Sequence, residues 1–176
     1  MTARTLAAGR THAVVHSPVG PLTLVAAGSV LAGLYMASGR HPPSQETLGD
    51  DTGTADAPLR EAARQLGEYF AGRRTEFDLP LALEGTLFQR RVWDALRQIP
   101  YGETISYGEL ARRIGRPTAV RAVGLANGRN PIGIVVPCHR VVGSDGSLTG
   151  YGGGLERKQF LLGFERHVKA GLHHRG

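Results

Sequence analysis

Cysteine is nearly missing from this chain: there is one, Cys138, in 176 residues. With no second thiol there is no intramolecular disulfide, so a disulfide scaffold is excluded, as is a cysteine-rich zinc site. Seven scattered histidines do not replace the missing ligands, and no metal is expected. Long apolar runs are missing as well. None approaches the roughly 20 residues of a membrane-spanning helix, so no membrane partner is expected. The N-terminus lacks the apolar core of a signal peptide, and the reducing cytoplasm is the default compartment. A glycine run at 152–154 is followed by no Lys-Ser or Lys-Thr pair at the required offset, which excludes a phosphate-binding loop.

What is present suits an ordinary water-soluble fold. The hydrophobic fraction is 41% and the mean hydropathy −0.17. The length allows one large domain or two small ones. Charge divides the chain unevenly. Residues 1–85 carry 7 Lys and Arg against 9 Asp and Glu, whereas residues 86–176 carry 14 against 6. A basic C-terminal half either meets a polyanion or is a solvated arginine-rich surface, and charge alone does not choose.

The first half reads as an α+β domain over residues 1–85. Residues 1–10 read as a loose terminus. Thr11 to Val15, Leu22 to Ala26 and Val30 to Met36 form a β-meander across Ser17-Pro18-Val19-Gly20 and Gly28-Ser29. From about 39 to 56 the chain is Pro, Gly, Ser, Asp and Thr, which predicts a mobile loop. Pro58 opens a helix to about Ala71, with Leu59, Ala62, Leu66 and Tyr69 at helical spacing, and Gly72 stops it.

The second half, 86–170, reads as mostly helical. Thr86 with Gln89 is a capping box ahead of Val92, Trp93 and Leu96. Ser106 with Glu109 is a second, heading a short helix to Ile114. After Gly115-Arg116-Pro117, a third helix is expected from Thr118 to Asn127, ended by Gly128. Two short helices across a glycine-containing turn match a helix-turn-helix or an ordinary helical hairpin. Arg112, Arg113, Arg116 and Arg121 on this segment favour the former. Ile132 to Val136 is expected to be extended, Ser144-Asp145-Gly146 to turn a hairpin, and Leu155 to His167 to form the last helix. The glycine run after Tyr151 serves as close backbone approach or as a connector. A His- and Gly-rich tail closes the chain at 171–176.

Between these elements lies Pro137-Cys138-His139-Arg140, flanked by β-branched residues. A lone buried cysteine is usually a small hydrophobe. A nucleophilic thiolate needs a base within reach, directly or through one water, and a carboxylate to orient that base. His139 and Glu165 have the right chemistry, and Asn130 stands in the turn before the cysteine. A Cys-His-Glu set serves a thiol hydrolase or a thiol acceptor equally well. In a DNA-binding half-domain the substrate becomes a base, which must leave the duplex to be reached.

Pro137-Cys138-His139-Arg140-Val141-Val142 resembles the active-site signature of the O6-alkylguanine-DNA alkyltransferases, stand-alone bacterial type. Ile105-Ser106-Tyr107, Arg121-Ala122-Val123-Gly124, Asn130-Pro131 and Tyr151-Gly152-Gly153-Gly154 before Lys158 and Glu165 resemble the family in order and spacing, as does Ser17-Pro18-Val19-Gly20-Pro21-Leu22. The resemblance implies an RNase H-like N-terminal domain and a winged-helix-like C-terminal domain. It implies a monomer that binds double-stranded DNA carrying O6-alkylguanine, with O4-alkylthymine and cooperative binding left open. Arg121 would fill the stack left by the flipped base, and Arg112, Ala122, Ser106 and Thr118 would contact DNA. Cys138 would take the alkyl group once and irreversibly, with His139 as base through a water, Glu165 orienting it, and Asn130 holding the turn. Tyr107 would protonate or hydrogen-bond the leaving guanine at N3. Pro137, Val141, Tyr151, Gly152 and Lys158 would complete the base pocket. No cofactor is implied. Asn127 stands where some relatives carry an apolar residue, which implies altered contacts to the DNA backbone. A damage sensor with an unreactive cysteine and a Cys-His hydrolase are the rival functions.

Overall fold

The computed structural model describes residues 9–174. The fold is α+β, and the chain separates into two compact units, one ending at Glu84 and the other beginning at Gly85.

In the first unit, β1 (Arg10–Val15), β2 (Leu22–Ala27) and β3 (Val30–Met36) form an antiparallel meander. Two glycines with positive φ, Gly20 and Gly28, turn the chain between them. β2 is central, and Leu22, Leu24, Val25 and Ala26 are all fully buried, so it reads as a continuous apolar run. Helix α2 (Ala57–Phe70) lays Leu59, Ala62, Leu66 and Tyr69 into the core. Each large side chain so buried contributes on the order of 1.5–3 kcal/mol.

The segment expected to be a mobile loop carries short regular elements. It holds a one-turn helix α1 (Gln45–Leu48), capped by Ser44, and a two-residue strand β4 (Asp50–Asp51). β4 pairs parallel with β1, giving the sheet order β3-β2-β1-β4. Gly49 makes this approach possible. Its φ is 65°, and a Cβ there would stand 1.9 Å from the Arg10 carbonyl oxygen.

The second unit starts with α3 (Leu87–Leu96). Both bonds of its capping box form, Gln89 N to Thr86 Oγ1 at 3.1 Å and Thr86 N to Gln89 Oε1 at 3.0 Å. Helix α4 (Tyr107–Arg113) is capped by Ser106, and α5 (Val120–Gly128) follows a turn at Gly115, φ 75°. Trp93 ties the first helix to the third by donating from its indole to the Ala126 carbonyl at 2.8 Å, fully inside the core. Strand β5 (Ile105–Ser106) pairs parallel with β6 (Val141–Val142). This pairing anchors the start of α4 beside the residues that follow Cys138. Helix α6 (Leu155–His174) covers the set.

Four expectations for this unit are corrected. α5 begins at Val120, leaving Thr118 in the exposed turn before it. Residues 132–136 form successive turns rather than a strand, with Ile134 at φ 68°. Gly143–Ser147 turns as expected, but no hairpin results, because β6 pairs with β5 instead. The helix that was to end at His167 continues to His174, so residues 171–174 of the expected tail are helical and 175–176 lie outside the described residues. The expected loose terminus at 1–10 falls outside them up to residue 8, and Arg10 already belongs to β1.

Candidate active site

The site is assembled by the turn from Asn130 to Val142. Asn130 Oδ1 accepts from Ile132 N at 3.0 Å, and its Nδ2 donates to the Val136 carbonyl at 2.8 Å. One side chain thus closes the loop at both ends and holds a buried isoleucine, Ile134, in the left-handed region that β-branched residues avoid. The chain then enters a 3-10 turn, Cys138–Arg140, whose three side chains all point into the protein. Asn130 also faces the thiol and favours its ionised form.

His139 Nε2 lies 2.8 Å from Glu165 Oε2, with both side chains fully buried. Glu165 accepts further from Arg140 Nε at 2.8 Å, Arg140 Nη2 at 3.0 Å and Gly102 N at 3.3 Å. Arg140 spends its remaining Nη1 on the Ile99 carbonyl at 2.7 Å and lies over the Tyr101 ring. Burial alone would raise the Glu165 carboxyl. The hydrogen bonds from His139 and Arg140, with the positive charge of Arg140, outweigh it and hold the group well below the usual carboxylate range. Burial pushes His139 down despite Glu165, so the imidazole is neutral at pH 7. A carboxylate on Nε2 places the proton there and leaves Nδ1 as the basic lone pair. Nδ1 has no protein hydrogen-bond partner among the described residues. Burial raises the Cys138 thiol, with Asn130 and Lys158 pulling the other way, so thiolate must be generated by a base.

A second cluster, Tyr107 and Lys158, lies close enough to Cys138 to feel its charge. Tyr107 donates to the Thr149 carbonyl at 2.9 Å. Lys158, with no exposed surface, donates to the same carbonyl at 2.9 Å and approaches the Tyr107 hydroxyl at 3.5 Å. Burial lowers its ammonium to about 8 and raises the Tyr107 phenol. Tyr151, Pro137 and Val141 are buried nearby in sequence, and burial drives the Tyr151 phenol well up through a site that also feels Cys138. Gly152 has only ordinary van der Waals room, its virtual Cβ lying 3.6 Å from the Gly128 carbonyl.

Arg121, Ala122, Thr118 and Arg112 are exposed, and Ser106 is spent as the cap of α4. Arg112 and Arg113 both pair with Glu109. Asn127 is not at the surface: it is 1% exposed, so the expected change in DNA-backbone contacts is corrected. Its spacing from Val123 and Ala126 could have placed it on the inner face of α5. Arg140 carried no assigned role from sequence. A charge inside an apolar stretch demands a partner, and that signal was available. Among the described residues no group of His, Cys, Asp and Glu is arranged to hold a metal ion.

Known proteins share this layout. Residues 87–167 match the profile of the 6-O-methylguanine DNA methyltransferase DNA binding domain, and residues 11–83 match the ribonuclease-like domain of the same family. A methylated-DNA–protein-cysteine methyltransferase of Mycolicibacterium paratuberculosis is 57% identical over 164 residues, covering 92% of this chain and 96% of the relative. This chain belongs to the 6-O-methylguanine DNA methyltransferase family. A Methanosarcina acetivorans member is 50% identical over 88% of this chain and 97% of its own. Among solved structures, Mycobacterium tuberculosis OGT in complex with DNA superposes with a TM-score of 0.84 at 54% identity, covering 90% of this chain and 94% of that one.

Proposed function

We propose that this protein repairs O6-alkylguanine in duplex DNA by a single irreversible transfer of the alkyl group to Cys138. The observation that carries this is that two proton-handling clusters adjoin one cysteine: His139, next to it in the chain and paired with Glu165, and Tyr107 with Lys158, both of which feel the Cys138 charge. One can accept a proton from the thiol while the other delivers one to the departing base.

The thiol proton passes through a water to His139 Nδ1, and Glu165 stabilises the imidazolium. The Cys138 sulfur then bonds to the alkyl carbon as its bond to guanine O6 breaks. The bonding pair leaves with the base, and Tyr107 supplies a proton at N3. Lys158, beside the hydroxyl, favours the phenolate that remains. The carbonyls of Cys138 and Val141 accept from the exocyclic amine, and the Gly152 N–H faces the base oxygen. Arg121 fills the stack, and Thr118, Ala122 and Arg112 lie on the DNA side. Nothing cleaves the thioether, so each chain reacts once. A DNA substrate is consistent with a protein of the cytoplasm. No helix among the described residues is long and apolar enough to cross a membrane.

Intact-mass measurement after incubation with O6-methylguanine duplex tests this. One methyl group per chain, located on Cys138, is expected, and Cys138→Ala should bind DNA without gaining mass. Repeated turnover, or methyl removal by the alanine variant, overturns the reading.

A further inference from the structure

The recognition helix α5 turns one polar side chain inward. Asn127 is 1% exposed, in company with Val123 and Ala126. Its Nδ2 makes only a long contact, 3.4 Å, to the Cys138 carbonyl, and its Oδ1 has no hydrogen-bond partner among the described residues. A buried amide so weakly satisfied is destabilising compared with an apolar residue of the same size. One turn earlier on the same face is Gly124, where a Cβ would stand 3.8 Å from the Tyr107 ring. Asn127 therefore reaches the backbone of the reactive cysteine from a helix face that also meets the Tyr107 ring.

We propose that Asn127 is a positioning residue for the leaving base: its amide fixes the Cys138 carbonyl and donates to the Tyr107 oxygen as that group gives up its proton. This rests on Tyr107 being the proton donor proposed above. In the step, the sulfur–carbon bond forms, the carbon–O6 bond breaks, and the Tyr107 proton moves to guanine N3. Tyr107 is left as an anion in a half-buried site, with Lys158 and the Asn127 amide as its donors. The amide already favours the ionised form of Tyr107 against the effect of burial. It also explains why a polar residue is retained on an inner helix face: an apolar residue there fills space but offers the anion no donor.

The test is a double-substitution cycle on the full chain, read by single-turnover transfer from O6-methylguanine duplex. Asn127→Leu should slow transfer about 10-fold or more, the scale of a lost hydrogen bond to a charged group. Asn127→Asp keeps the shape without the donor and should be at least as slow. In a Tyr107→Phe background, neither change should slow the reaction further. Alkylation of Cys138 by iodoacetamide, whose leaving group needs no proton, should proceed at the unsubstituted rate in both. Above the fall set by Lys158, the limb set by the Tyr107 phenol should move to higher pH in Asn127→Leu, because the phenol loses a donor to its anion. The titratable groups facing Tyr107 are Lys158 and Cys138, so the limb is compared with that of Lys158→Met to assign it. Additive losses in the Tyr107→Phe background, or an equal loss with iodoacetamide, overturn the inference and leave the function intact. A Tyr107→Phe protein that transfers at full rate overturns the proton-donor reading, and this inference with it, while stoichiometric methylation of Cys138 still holds.

Discussion

Arg140 grips Glu165 with two donors at once, Nε on one carboxylate oxygen at 2.8 Å and Nη2 on the other at 3.0 Å. His139 takes the same carboxylate at 2.8 Å, and the arginine side chain is 7% exposed while the other two are fully buried. The proposed base, His139, is therefore oriented at one remove by a residue that grips its carboxylate partner. Removing the arginine leaves a buried carboxylate without its main counter-charge. Arg140→Met should destabilise the protein by about 3–5 kcal/mol, the usual penalty for breaking one side of a buried ion pair. Arg140→Lys keeps the charge but cannot hold both oxygens and the Ile99 carbonyl together, so it should recover only part of the loss. Denaturant unfolding checks both. A lysine variant as stable as the parent sinks the claim that the fork geometry matters.

Glu165 itself sets an acid limit. Its folded carboxyl is held below the ordinary value, so the stability it contributes is complete above about pH 4.3 and is lost as pH falls towards the folded value. Glu165→Gln should lack that acid-sensitive part of the stability curve. The same change removes the group that keeps the proton on His139 Nε2, and should slow alkyl transfer on the order of 10²–10⁴-fold. Unfolding at pH 7 and pH 3, together with single-turnover rates, separates the two effects. An unchanged rate removes Glu165 from the relay.

Much of this was legible before any coordinates, for physical reasons that differ from residue to residue. Thr86 and Gln89 form a capping box because the motif is local, with both bonds closing within three residues. α2 is legible from Leu59, Ala62 and Leu66, since burying one face of a helix imposes its period. β4 is not, because Asp50 and Asp51 are exposed and polar and are held by backbone bonds to a strand some forty positions away. The β5–β6 pairing is hidden for the same reason: two-residue strands carry no period, and their register is long-range. The last two turns of α6 were missed because they bury little. Lys169 lays its stem on Gly102 and reaches Glu103 at 3.4 Å, contacts that no pattern in the tail announces. The Cys-His-Glu set was readable as residue types. That Glu165 answers to Arg140 needed the fold.

Lys158 predicts an alkaline limit on catalysis. Burial brings its ammonium down to about 8, so near that pH the cation beside Tyr107 is lost. Transfer from O6-methylguanine duplex should fall as pH rises through this range, even though the thiolate fraction of Cys138 is still growing. Stability moves the opposite way. Between about 8 and the ordinary lysine value of about 10.4 the unfolded chain binds more protons than the folded one, so stability rises with pH. Lys158→Met should abolish both trends and be more stable than the parent at pH 7. A parent rate that climbs steadily to pH 10 removes the ammonium from the mechanism.

The exposed arginines of the helix-turn-helix should not behave alike. Arg112 and Arg113 already share the Glu109 carboxylate, so handing either to a phosphate exchanges one ion pair for another. Arg121, on α5, is exposed and on the side proposed to meet the duplex. Arg121→Ala should slow repair of duplex O6-methylguanine at least about 10-fold more than it slows reaction with free O6-benzylguanine, because only the duplex requires a base to be flipped. Arg112→Ala should leave both reactions within about threefold, the scale of an exposed pair. Its effect belongs in the salt dependence: a full phosphate contact contributes about 0.9 to the slope of log affinity against log salt, and a contact that must first break an ion pair contributes less. Titration of duplex binding at several salt concentrations reads this directly. Equal losses on duplex and free base for Arg121→Ala would place that arginine outside the flipping step, and a full unit change in slope for Arg112→Ala would show that its pairing with Glu109 does not survive on DNA.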